Sequence, residues 1–108
     1  PVEAARTTLA GIRVGDRLGM EIMLTNCLEP LLLATAMLGQ TETAVRLRAE
    51  LVHGTRHPIH ARPTLFAEVD RLLVEQGIGP AEPAAPLSRR ELLDLLDEIE
   101  AALDEATP

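Results

Sequence analysis

Residues 18–38 read LGMEIMLTNCLEPLLLATAML, and the fold depends on how this stretch is buried. On a helical wheel it is apolar on nearly every side, and a helix without a polar face must be covered all round. A chain of 108 residues buries only about two thirds of the surface it exposes when unfolded, and the other segments have little apolar surface to spare. The stretch therefore predicts the centre of a homodimer or larger homo-oligomer. Its length would suit a membrane span, but Glu21, Asn26, Glu29 and Pro30 within it make that costly. No membrane partner is expected.

On the N-terminal side lies PVEAARTTLAGIRVG, residues 1–15. Ala-rich at first and then interrupted by Gly11 and Gly15, it predicts a short or frayed helix to about Ala10. Asp16 is a good N-cap for the central helix. Within that helix Pro30 cannot donate to the carbonyl of Asn26, which predicts a kink or a break between them. Gly39 suits the position just past the helix end.

On the C-terminal side, Thr41 caps a helix over 42–53 that Gly54 closes. A loop follows, TRHPIHAR (55–62), and Pro63 starts another helix that runs to Gln76 and stops at Gly77. Its Leu65, Phe66, Val69, Leu72 and Leu73 form a regular core stripe. Residues 78–87, IGPAEPAAPL, carry three prolines and read as a stiff linker. Ser88 and Glu91 then make a capping box for a last helix, with Leu92, Leu95, Leu96, Ile99 and Leu103 on one face and Asp94, Asp97, Glu98, Glu100 and Asp104 around it. The fold expected is all-α: a three-helix body with a kinked apolar central helix over 1–77, a Pro-rich linker over 78–87, and an acidic amphipathic helix over 88–105. The apolar face of that last helix has to lie on its own body, on a second copy, or on another protein.

Charge and composition exclude several classes. The net charge is −7, which argues against a nucleic-acid partner. Residues 1–87 contribute −2 and residues 88–108 contribute −5, so the acidity is concentrated in the tail. All ten basic residues are arginine, which removes Schiff-base chemistry and a phosphate-loop lysine. Phe66 is the single aromatic residue, too little for base or sugar stacking. Cys27 is the single cysteine, which fits a cytoplasmic location, and the first residues lack the layout of a signal peptide.

Five features bear on chemistry. Glu21, Thr25 and Glu29 form a polar stripe at four-residue spacing on the greasy helix. A carboxylate there is either paired or proton-carrying. Arg48 sits within the apolar arc of Ala44, Leu47, Leu51 and Val52, so it is the expected partner of Glu21 or Glu29. Glu50 and His53 have the Glu-x-x-His spacing of carboxylate-bridged metal bundles, although they project from the side opposite Arg48. His57 and His60 complete a group of three histidines that could hold zinc, but Gly54 and Pro58 interrupt it. Cys27, within the apolar helix, reads as an inert small hydrophobe.

Taken together, these features predict a non-enzymatic, homo-oligomeric docking or assembly module with no cofactor, whose last helix meets a protein partner through Leu92, Leu95, Leu96, Ile99 and Leu103. The layout of a dimerising helical body, a Pro-rich linker and the acidic helix SRRELLDLLDEIEAAL (88–103) is similar to the C-terminal docking segments of modular polyketide synthases. That similarity implies a helix that meets a partner protein. The alternative is a small dimeric enzyme or ligand-binding protein with a pocket near Glu21, Glu29 and Arg48 and with His53 at its mouth. In a further version of that alternative, Glu50, His53, His57 and His60 hold a metal ion.

Overall fold

The computed structural model describes residues 2–53, 63–79 and 87–106. Among them lie five helices and no strand: α1 (Val2–Leu18), α2 (Glu21–Met37), α3 (Thr41–His53), α4 (Pro63–Glu75) and α5 (Arg89–Ala106). The fold is an all-α bundle, as the sequence predicts, but its body has four helices instead of three. Helix α2 packs against α1, α3 and α4, and α5 lies on α1.

The additional helix comes from the N-terminal segment. Helix α1 continues through Gly11 and Gly15 to Leu18 instead of ending near Ala10. A glycine inside a helix costs about 1 kcal/mol relative to alanine, and here the cost has a packing reason. A Cβ on Gly15 would stand 3.2 Å from the backbone nitrogen of Leu24, and one on Gly11 would stand 3.4 Å from Cys27 Sγ. The missing side chains let α1 lie close against α2.

The α1–α2 corner also differs from expectation. Gly19 has φ +67°, a left-handed conformation that glycine adopts without a Cβ penalty. The Met20 N–H donates to the Gly15 carbonyl at 2.8 Å and the Gly19 N–H to the Asp16 carbonyl at 3.2 Å, a Schellman ending for α1. The same pair of bonds recurs at Gly39 and Gly77. Asp16 therefore lies inside α1 and is not the N-cap of α2. That position falls to Met20, which makes no side-chain capping bond.

Pro30 does not break α2, which is one helix from Glu21 to Met37. The bond that Pro30 cannot donate would have gone to the carbonyl of Asn26, and the loss of that one bond leaves the helix continuous. Thr41 is likewise not a cap. The first bond of α3 runs from the Ala44 N–H to the Gln40 carbonyl at 3.0 Å, while the Thr41 hydroxyl bonds Gln76 Oε1 past the end of α4. Gln76 Nε2 in turn donates to the Ala36 carbonyl at 2.9 Å, which fastens the end of α4 to the end of α2.

One core joins all five helices. It contains Ala5, Leu9 and Ile12 of α1, Leu24, Leu28, Leu31 and Leu32 of α2, Ala44, Leu47 and Leu51 of α3, Leu65, Val69 and Leu73 of α4, and the whole α5 stripe. The central helix is thus wrapped over most of its circumference by its own chain. No helix among the described residues is long and apolar enough to cross a membrane.

Candidate functional site

Helix α5 begins with the expected capping box. The Glu91 N–H donates to Ser88 Oγ, and the Ser88 N–H donates to Glu91 Oε1, both at 3.1 Å. The backbone hydrogen bond from Ser88, and then its side chain, hold the Glu91 carboxyl below the usual range. One residue earlier, the Leu87 N–H donates to Glu50 Oε2 at 2.8 Å. Glu50 is 2% exposed. The helical wheel turns Glu50 away from the apolar arc of α3, and on that side it accepts the Leu87 N–H just before α5.

The acidic residues around the α5 stripe are matched by arginines of the body. Arg6 Nη1 meets Asp104 Oδ1 at 3.1 Å. Arg13 Nη2 meets Asp97 Oδ1 at 2.6 Å and Glu100 Oε2 at 3.0 Å. Arg46 of α3 reaches Glu98 at 3.4 Å on the other flank. Burial opposes the Arg13 charge, but its hydrogen bonds to Asp97 and Glu100 outweigh that and raise its pKa. At the corner, Arg89 pairs with the Asp16 carboxylate, donates to the Asp16 carbonyl at 3.2 Å, and reaches Glu21 Oε2 at 3.3 Å. Arg6 and Arg13 are seven residues apart, as are Asp97 and Asp104, and the pairs run in opposite directions. Helix α5 is therefore antiparallel to α1.

Leu92, Leu95, Leu96, Ile99 and Leu103, the residues expected to meet a partner, are each fully buried in the core of their own chain. Another protein could reach them only by displacing α5 from α1.

The carboxylates and the arginine expected to share a pocket take different partners. Arg48 makes a two-pronged contact with Asp70 of α4, the second prong from Nη2 to Oδ2 at 3.1 Å, and does not pair with Glu21 or Glu29. Glu21 is exposed at the start of α2 beside Arg89, so the polar stripe begins in solvent. It enters the core at Thr25 and at Glu29, which is 3% exposed. Burial pushes the Cys27 thiol above its ordinary value, which keeps it protonated and weakly nucleophilic.

His57, His60 and most of the linker lie outside the described residues, as does the side chain of His53. Among the described residues no group of three His, Cys, Asp or Glu side chains converges to hold a metal.

Sequence reasoning missed Asp70 and the arginines that face α5. A signal was present for both. Asp70 borders the α4 stripe while Arg48 lies inside that of α3, and the seven-residue spacing of Arg6 and Arg13 matches that of Asp97 and Asp104.

Large apolar residues remain exposed on four helices: Val52 of α3 and Val74 of α4 as well as several at α2 and the corner before it. Leu18 is 66% exposed, Met20 49%, Ile22 64% and Met37 54%. Comparison with known proteins gives no matching family model, no curated relative and no matching solved structure.

Proposed function

We propose that this chain is a non-enzymatic, homo-oligomeric protein-interaction module that serves docking or assembly. The observation that carries this reading is the exposed apolar surface at Leu18, Met20, Ile22 and Met37 on a bundle whose core is otherwise closed. Leu18, Met20 and Ile22 lie within five residues of one another at the α1–α2 corner, and exposed apolar residues that cluster mark interaction sites where singly scattered ones do not. The charge pattern supports it as well. Arg6, Arg13, Arg46, Arg48 and Arg89 are each paired to a carboxylate of the same chain, the pattern of a network that holds helices together. Light scattering of the full chain over a range of concentrations tests the proposal. The expected result is a mass that rises from 11.7 kDa to a multiple of it. A mass fixed at the monomer value would overturn it.

A further inference from the structure

Helix α5 is joined to the body by a segment whose composition does not favour closure within one chain. Gln76 bonds Thr41 at the start of α3, and Leu87 bonds Glu50 nine residues further along that helix. These two anchor points are therefore about 14 Å apart along the helix axis. Leu87 follows Gln76 by eleven positions, with Pro80, Pro83 and Pro86 between them. A proline-rich segment favours the extended form at about 3.1 Å per residue, or about 34 Å over that length. A stiff linker that prefers more than twice the gap it has to close lowers the effective concentration of α5 at its own seat.

From this we infer that two copies of the chain exchange α5, so that the last helix of each lies on α1 of the other. The inference rests on the homo-oligomeric reading above and specifies its interface. What the seat accepts selects the occupant. It takes Leu92, Leu95, Leu96, Ile99 and Leu103 into full burial. It matches Asp104, Asp97, Glu100 and Glu98 to Arg6, Arg13 and Arg46. The α5 of a second copy carries the same residues in the same order, so exchange keeps every one of these contacts and needs no new fit.

Charge agrees with this choice. Of the net −7, residues 88–108 hold −5, and two copies repel each other at most approaches. Exchange lays the most acidic part of each copy on the arginines of the other. The exposed corner agrees as well. Arg89, the first residue of α5, bonds Asp16 and Glu21 on either side of Leu18 and Met20. An incoming α5 therefore tethers the second body beside these exposed apolar side chains.

The test uses full chains in a Cys27→Ala background, one carrying Arg6→Cys and the other Asp104→Cys, with circular dichroism confirming unchanged helicity. Each is unfolded and refolded, alone and mixed, then treated with a short bismaleimide. Exchange places residue 6 of one chain beside residue 104 of the other, so the mixture is expected to give at least tenfold more covalent dimer than either chain alone. Light scattering then compares the parent with a chain carrying Pro80→Ser, Pro83→Ser and Pro86→Ser. A flexible linker of this length spans about 18 Å on average, close to the gap, and the dimer fraction is expected to fall at least tenfold. A parent dimer whose mixed cysteine chains cross-link no better than the single ones overturns exchange while leaving the homo-oligomeric reading standing. A dimer undiminished by the serine linker overturns the linker's part in it. A parent that is monomeric throughout removes the underlying reading together with this one.

Discussion

Helices α2 and α5 have similar numbers of apolar residues and opposite outcomes. In α5 the apolar residues form one stripe with acids on either side, and the chain uses all of it: every member is buried and the flanking acids meet Arg6, Arg13 and Arg46. In α2 the apolar residues go all the way round, and three neighbouring helices cannot cover a full circle. Ile22 and Met37 remain in water. The sequence pattern predicts a partner for α5 and burial all round for α2, whereas the folded chain closes over α5 and leaves α2 with surface to spare. An amphipathic helix specifies how much cover it needs. A uniformly apolar one does not.

The most severe way to break this contrast is to end the chain at Gly79, which removes α5. Five fully buried side chains leave, each worth about 1.5–3 kcal/mol of burial, which together rival the whole stability of a small domain. Thermal denaturation followed by circular dichroism is expected to lose its cooperative transition. Single substitutions sharpen the same point. Leu96→Ala in the α5 stripe is expected to cost about 2–5 kcal/mol in urea unfolding, whereas Ile22→Ala on the exposed face of α2 changes monomer stability by about 0.5 kcal/mol or less.

Next in size is the seam between α1 and α2. Gly15→Val forces a side chain against the backbone of Leu24, and urea unfolding should show a loss of about 1–3 kcal/mol. The smallest effect concerns the start of α5. The Glu91 carboxyl is held low in the folded chain by Ser88, so its contribution is present above the ordinary carboxylate pKa of about 4.3 and fades as pH falls through the lower folded value. Glu91→Gln keeps the acceptor and loses the titration. Urea midpoints of parent and variant are expected to converge as pH drops from neutral to about 3.

Much of this was legible in the sequence. The end of α2 at Gly39, the span of α4 and the Ser88–Glu91 box all follow from local chemistry, and local chemistry determines them. The misreadings at Gly11, Gly15 and Asp16 share a cause. Each residue was judged by its effect on its own helix, but its neighbour in space decides. The two glycines admit α2, and Asp16 is engaged by Arg89 from 73 residues away. The position of Arg48 was readable as inward because its arc is apolar. Its partner Asp70 was not, because the angle between α3 and α4 is a property of the packed bundle.

The pairing of α1 with α5 also governs when the protein can fold. Arg6 bonds Asp104 across 98 positions of sequence, and the inner side of α1, with Ala5, Leu9 and Ile12, shares its core with the α5 stripe. Contacts this remote in sequence slow folding, because a long loop must close before they form. During synthesis α1 is made before α5 and can pack on α2 as soon as that helix follows it. The part of its apolar side that α5 covers stays open until the last helix arrives, exposed to the chaperones and to other nascent chains around the ribosome.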